Sequence, residues 1–159
     1  MLSNQKELEE IIKKKQFNKE EIHKLIPQRE PFLMIDRVLN MDVKNEEITC
    51  EKKISFDTDK YLQGHFPNNP VVPGVIMIEM MAQASSVLGK ILNIDKNGTF
   101  LLVNIDNCKF SGMATIGDIL TIKAQNYRKK GNLFISNCNV IKNETIIAKC
   151  QITAFLKEI

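Results

Sequence analysis

The stretch GHFPNNPVVPGVIMIEMMAQ, residues 64–83, decides how this chain folds. It opens an apolar run that continues to Leu92, and apolar side chains cover nearly the whole circumference of a helix drawn over Gly74 to Leu92. A helix that is apolar all round is a buried helix. We therefore predict that this helix lies at the centre of the fold.

Most of the remaining chain alternates between apolar and polar residues, which is typical of half-buried strands. Strands are predicted over residues 31–42, 48–56, 99–110, 118–128, 132–142 and 145–157, with hairpin turns at 130–132 and 142–143. A sheet must bury its apolar face against another element. The pattern therefore predicts an α+β fold in which six antiparallel strands wrap one long helix.

Two short helices are predicted before the first strand. The first covers Asn4 to Lys15 and the second covers Lys19 to Ile26. Asn18 is the predicted N-cap of the second helix, Glu21 completes a capping box, and Pro27 ends the helix.

No linker or internal repeat interrupts the chain of 159 residues. We predict that residues 1–17 form a helical extension and that residues 18–159 form a single domain.

The composition is typical of a soluble globular protein, with 43% hydrophobic and 26% charged residues. A net charge of +3 does not indicate a nucleic-acid partner. The N-terminus lacks the apolar segment of a signal peptide, and the run Val71 to Met81 is too short to span a bilayer.

Because Cys50, Cys108, Cys138 and Cys150 lack paired spacing, we expect buried, reduced thiols and a cytoplasmic location. A metal or redox role is the alternative.

Two candidate catalytic residues lie in the deciding stretch, His65 in a proline-rich loop and Glu79 fourteen residues later on the apolar helix. A buried carboxyl group has a raised pKa and suits a general acid, although Glu79 could also lie at a wet edge of the helix. His65 could equally be an ordinary, partly exposed loop residue. Gly74 is in the first helical turn, where free N–H groups can bind an oxyanion. Together they suit removal of a proton alpha to a thioester carbonyl and loss of a beta-hydroxyl as water, one of several reactions these residue types allow.

The pattern HFPxxPxxPGVxxxE followed by AQ closely resembles the signature of the (3R)-hydroxyacyl-acyl-carrier-protein dehydratases of type II fatty-acid synthesis, which have the hotdog fold. The matching residues are His65, Phe66, Pro67, Pro70, Pro73, Gly74, Val75 and Glu79, followed by Ala82 and Gln83. Similar segments upstream and downstream extend the resemblance to about residues 20–157. Glutamate at position 79 favours this branch over the related dehydratase–isomerases, which typically place aspartate there.

The resemblance implies dehydration of a (3R)-hydroxyacyl chain on acyl carrier protein to the trans-2-enoyl form, without metal, cofactor, nucleic acid or membrane insertion. It implies His65 as the catalytic histidine, Glu79 as the acid and the Gly74 amide as the clamp on the thioester carbonyl. Further substrate contacts are expected from Phe66, Pro73 and Val75. The family also forms homodimers, often assembled into hexamers as trimers of dimers. We therefore expect a site shared between His65 of one chain and Glu79 of the other.

Some positions depart from the family pattern. Members often have PHRYPF where this chain has PQREPF at residues 27–32, and the stretch Phe110 to Asp118 lacks the usual arginine-proline pair. These differences leave acyl chain length and carrier docking open. The alternatives are a hotdog thioesterase that hydrolyses the acyl thioester, and a non-catalytic acyl-thioester-binding protein.

Overall fold

The computed structural model of the protein describes residues 2–94 and 96–159. Within these residues the chain forms three α-helices, one 3₁₀ turn and six β-strands. In chain order they are α1 (Leu2–Lys13), α2 (Lys19–Leu25), β1 (Arg37–Asp42), β2 (Glu47–Lys53), the 3₁₀ turn (Lys60–Gln63), α3 (Gly74–Leu92), β3 (Gly98–Phe110), β4 (Ile119–Lys130), β5 (Leu133–Lys142) and β6 (Thr145–Glu158). The predicted α+β class is confirmed.

The strands of the described residues form one antiparallel sheet in the order β1-β2-β4-β5-β6-β3. Tight hairpins join β4 to β5 and β5 to β6, as predicted. Asn143 and Glu144 have φ values of +47° and +64°, the left-handed values that a type I′ hairpin turn needs at both central residues. Between β2 and β3 the chain passes through α3. β3 then pairs with β6 and forms the edge of the sheet opposite to β1.

Helix α3 packs against the sheet and contacts β2 to β6. Its bounds match the prediction, and its core-facing residues are buried. These include Met77, Met80, Met81, Ala84, Val87 and Leu88. The helix is nevertheless not buried all round, because Val75 in its first turn is 70% exposed.

By length and composition alone α3 is apolar enough to cross a membrane, with a mean hydropathy of 1.4 over its most apolar window. This helix is longer than the run Val71 to Met81 that was considered from the sequence. However, 61% of that window is buried inside the fold, as expected for the core helix of a globular domain.

The N-terminal helices pack on the domain. The predicted capping box of α2 is confirmed: Asn18 Oδ1 accepts from the Glu21 amide and Glu21 Oε2 accepts from the Asn18 amide, both at 2.9 Å. Phe17 pairs with Val38 of β1 through two backbone hydrogen bonds of 3.1 and 2.9 Å. Ile11 and Phe17 are buried. Within the predicted extension, residues 2–17 are described, and they cover part of the outer edge of β1.

Two predicted strands are longer than the observed ones. The prediction is wrong over residues 31–36, where the chain runs beside α3 and the Met34 amide donates to Gln83 Oε1 at 2.8 Å. It is wrong again over residues 54–56, because β2 ends at Lys53.

The prediction of buried thiols holds for three of the four cysteines, Cys50, Cys138 and Cys150. It is wrong for Cys108, which is exposed. Cys108 lies on β3, an edge strand whose burial does not follow the alternation of the inner strands.

Candidate active site

Glu79 is a half-buried carboxyl group on α3 that faces a cavity of about 70 Å³. The other lining residues are Gln28, Ala82, Gln83, Ser86, Phe100, Leu102, Ile152 and Ala154. Burial among these groups disfavours the ionised form and raises the pKa of the Glu79 carboxyl. Glu79 therefore holds its proton to a higher pH than a solvated glutamate does, as a general acid requires.

Gln83 fixes the orientation of Glu79. Its Nε2 donates to Glu79 Oε1 at 2.7 Å and to the Phe32 carbonyl at 2.8 Å, while its Oε1 accepts from the Met34 amide at 2.8 Å. The side chain is 1% exposed. The bond to Glu79 lowers the carboxyl pKa, but burial has the larger effect. In the sequence Gln83 stands out only as part of a motif, and the available signal is a glutamine four residues after the glutamate on the same apolar helix.

His65 lies in the loop between the 3₁₀ turn and α3. Its Nδ1 is 2.7 Å from the carbonyl oxygen of Val71. Since a carbonyl oxygen only accepts, Nδ1 carries the hydrogen, and Nε2 of the neutral ring has a free lone pair. The ring packs against Phe66 with centroids 4.3 Å apart. His65 is therefore oriented to accept a proton at Nε2.

The loop that carries His65 has a constrained backbone. Phe66 has a φ of +51°, a conformation that a bulky residue rarely adopts. Farther along, the Val72 amide donates to the Ala114 carbonyl at 2.8 Å, and Thr115 Oγ1 donates to the Pro70 carbonyl at 2.7 Å. Such conformations persist only when the surroundings fix them, and they are often found at functional sites.

A buried ion pair supports the start of this loop. Lys52 Nζ lies 3.0 Å from Asp59 Oδ1, and the two side chains are only 1% and 2% exposed. Asp59 Oδ2 also accepts from the Ser55 amide at 2.9 Å. The 3₁₀ turn begins directly after Asp59, and its Tyr61 carbonyl accepts the His65 amide at 3.2 Å. This pair was not predicted, although Lys52 alternates in step with the buried residues Ile48 and Cys50 on β2, which places it on the inward face of the strand.

The first turn of α3 has free donors. Pro73 occupies the N-cap position, and its carbonyl accepts the amides of residues 76 and 77 at 2.9 and 3.3 Å. Among the described residues, no main-chain acceptor meets the amides of Gly74 and Val75. These N–H groups lie at the positive end of the helix dipole, so they can donate to an oxygen that gains negative charge.

Gly74 also allows a close contact with β3. A Cβ atom at this position would lie 3.0 Å from Cζ of Phe110, which is tighter than ordinary packing. The absence of a side chain at Gly74 therefore lets the Phe110 ring lie directly against the start of α3.

The predicted site residues fall into two groups. His65 and Phe66 lie in the loop, with Pro73, Gly74 and Val75 following at the start of α3, whereas Glu79 faces the cavity. Within the described part of the chain, the residues lining that cavity do not include His65. The cavity that Glu79 faces is therefore formed without the His65 imidazole. Contact of Phe66, Pro73 and Val75 with substrate stays a prediction.

Comparison with known proteins identifies relatives over most of the chain. A family model described as the FabA-like domain matches residues 26–151. A 3-hydroxyacyl-[acyl-carrier-protein] dehydratase FabZ from Xylella fastidiosa is 40% identical over 116 residues, which are 70% of this chain and 71% of that protein. The FabZ dehydratase of Rickettsia typhi is 37% identical over 139 residues, covering 87% of this chain and 94% of that protein.

A solved structure supports the architecture. The dehydratase heterocomplex ApeI:P from Xenorhabdus doucetiae has a TM-score of 0.72 at 18% identity, covering 86% of this chain and 91% of that chain. At this identity the similarity concerns the fold alone. The predicted hotdog fold, a sheet wrapped around a central helix, is confirmed.

Proposed function

Because the chain belongs to the FabA-like family, we propose that it dehydrates (3R)-hydroxyacyl chains on acyl carrier protein to the trans-2-enoyl form in type II fatty-acid biosynthesis. Its relatives named FabZ are 3-hydroxyacyl-[acyl-carrier-protein] dehydratases. The observation that carries the proposal is the Glu79 carboxyl, half-buried in a cavity and oriented by Gln83. A protonated acid held in this way suits the departure of a hydroxyl group as water.

In the proposed reaction, Nε2 of His65 takes a proton from the carbon next to the thioester carbonyl. The electron pair of the broken C–H bond moves toward the carbonyl, whose oxygen gains negative charge and accepts from the amides of Gly74 and Val75. Glu79 gives its proton to the beta-hydroxyl oxygen, the C–O bond breaks, and the double bond forms as water leaves. Solvent then returns the proton from His65 to Glu79.

The oxyanion donors and the acid–base groups are expected to accelerate the reaction by similar factors. One well-placed donor to the oxyanion is worth about 10²–10³ in rate, and positioned acid–base groups are worth about 10²–10⁴. The reaction has no net oxidation or reduction, so it needs no redox cofactor. We also propose that it proceeds without a metal ion, which full activity in the presence of a chelator would support.

We further propose that a second copy of the chain completes the site, with His65 from one chain and Glu79 from the other. β3 is an edge strand on which Leu101, Leu102 and Val103 are 46%, 50% and 57% exposed. An exposed apolar edge of this kind readily pairs with another chain. Leu102 also lines the cavity of Glu79, so a copy paired at β3 would lie next to that cavity.

We propose a cytoplasmic location for the enzyme. The free cysteines, of which Cys108 is exposed, suit a reducing compartment. The carrier-bound substrate suits the same compartment.

The test incubates the purified protein with (3R)-hydroxyacyl-acyl carrier protein and follows the product by mass spectrometry. We expect loss of one water and a trans-2-enoyl thioester. His65→Ala and Glu79→Gln should each lower kcat by about 10²–10⁴, whereas the control His23→Ala should retain activity. Release of free acid and carrier thiol would instead identify a thioesterase.

A further inference from the structure

The cavity of Glu79 is continued along α3 by a second, smaller cavity. Their volumes are about 70 and 10 Å³. On the helix side they are lined by Glu79, Ala82, Gln83, Ser86 and Lys90, and on the strand side by Leu102, Phe100, Thr99 and Gly98. Residues three and four positions apart lie on the same face of a helix. The helix residues that line the two cavities therefore share one face of α3, and the cavities form one path from Glu79 toward Lys90.

A constriction divides this path. Gln28, Ser86 and Phe100 line both cavities and therefore stand between them. The first cavity has about seven times the volume of the second, so the path narrows sharply at the constriction. An alkyl chain that extends past Glu79 reaches the constriction after a few carbons.

Phe100 is held in the constriction by its neighbours. Its ring lies directly on Gly89, where a Cβ atom would be 2.6 Å from Cζ of the ring. The ring also meets Phe134 edge to face, with centroids 5.2 Å apart. Phe134 is 3% exposed and so has little room to yield. The ring of Phe100 therefore acts as a fixed wall.

Gln28 makes the constriction polar. Its Oε1 is buried and has no hydrogen-bond partner among the described residues. The hydroxyl of Ser86 does not supply the missing donor, because its hydrogen already bonds to the Ala82 carbonyl at 2.9 Å. An alkyl chain lying against Gln28 Oε1 would keep this oxygen from water without supplying a donor, which is unfavourable.

We propose that Phe100 and Gln28 restrict the enzyme to short acyl chains that end before the constriction. This inference rests on the proposed dehydratase function and adds its substrate class. Both residues act on chain length alone, because they stand beyond Glu79 on the side away from the start of α3.

The test measures kcat/KM for (3R)-hydroxyacyl-acyl carrier proteins with four-, six-, eight- and ten-carbon chains. Forcing extra methylenes into a packed site is costly, so kcat/KM for the ten-carbon chain should be at least about ten-fold below that for the four-carbon chain. Phe100→Ala should raise the ratio of ten- to four-carbon kcat/KM by about ten-fold or more. Gln28→Leu should raise the same ratio to a smaller extent.

Phe155→Ala is the matched control, because Phe155 is an exposed residue next to Ala154 on β6 and points away from the cavity. It should leave the ratio unchanged. A flat or rising profile in the unaltered enzyme, or a ratio unmoved in folded Phe100→Ala, overturns the inference and leaves the dehydratase function standing. Failure to dehydrate any chain overturns the proposed function and this inference with it. If Phe100→Ala does not fold, the unaltered profile and Gln28→Leu decide.

Discussion

Gln83 Nε2 donates to both Glu79 Oε1 and the Phe32 carbonyl, at 2.7 and 2.8 Å, and so joins the candidate acid to a segment that lies 51 residues before Gln83 in the chain. One buried amide thus has two effects. It holds the carboxyl in one orientation, and it opposes part of the pKa rise that burial causes.

Replacing Gln83 should therefore cost both stability and rate. In Gln83→Leu the Met34 amide and the Phe32 carbonyl lose their partner, and each buried group left unsatisfied costs about 1–3 kcal/mol. Urea unfolding should show the lower free energy of unfolding, and kcat should fall because Glu79 is no longer held. Gln5→Leu, at an exposed position on α1, should change neither quantity. Unaltered stability in Gln83→Leu would contradict the three-bond arrangement.

The pH dependence of kcat should report the raised pKa of Glu79. Glu79 acts in its protonated form, so activity should fall as the pH rises through its pKa. In Gln83→Leu the donor that favours the ionised form is lost, so the pKa should rise further. The alkaline limb of the kcat profile should then move to higher pH, although kcat itself is lower. An alkaline limb that does not move would show that Gln83 does not act on the pKa of this carboxyl.

The buried pair beneath the His65 loop gives a stability prediction. Lys52→Met leaves the Asp59 carboxylate buried without its partner, which should lower the free energy of unfolding by about 3–5 kcal/mol. Adding Asp59→Leu removes the unpaired charge and should recover part of the loss. Lys53→Met, at the exposed neighbouring position, should change stability by less than about 0.5 kcal/mol. Equal effects at positions 52 and 53, measured by denaturant unfolding, would rule out the pair as a special support.

Mixed dimers test the shared site. His65→Ala and Glu79→Gln, each nearly inactive alone, are unfolded and refolded together. A mixed dimer has one site with both defects and one with neither, so an equal mixture should contain about a quarter of intact sites. Activity should reappear on mixing. If mass spectrometry verifies mixed dimers and they remain inactive, both residues act within one chain.

The exposed edge of β3 should govern self-association. Val103→Lys places a charge on this edge, which natural sheets use to prevent pairing. We expect sedimentation to shift toward the monomer and activity to fall with it. Val43→Lys is the matched control, because Val43 is 49% exposed in the turn between β1 and β2. Equal sedimentation of both variants would place the contact elsewhere.

Much of the fold could be predicted because its signals are local. The period of apolar residues located α3 with its observed bounds, and Asn143 predicted a tight turn because it tolerates positive φ. Local signals gave the wrong secondary structure where contacts with distant parts of the chain determine the conformation. Residues 31–36 have an apolar, strand-like composition, but Met34 bonds to a helix side chain and not to a neighbouring strand.

The candidate site shows the same limit. Glu79 and His65 could be found because their spacing and residue types form a pattern. Gln83 lies one helical turn after Glu79, but its bonds to residues 32 and 34 and the pairing of Lys52 with Asp59 form only on folding. The contact of the Phe100 ring with Gly89 also forms only on folding and could not be predicted from the sequence.

The bridge between Phe17 and Val38 bears on how far association can go. Within the described residues it covers part of one margin of the sheet, at β1, and leaves the other margin, at β3, unpaired. Two copies that join at β3 use up the open margin of both, and the margins of the combined sheet are then two β1 strands, each shielded by its own Phe17. In a pair formed in this way, the N-terminal segment of each chain would therefore oppose further strand addition at the remaining margins.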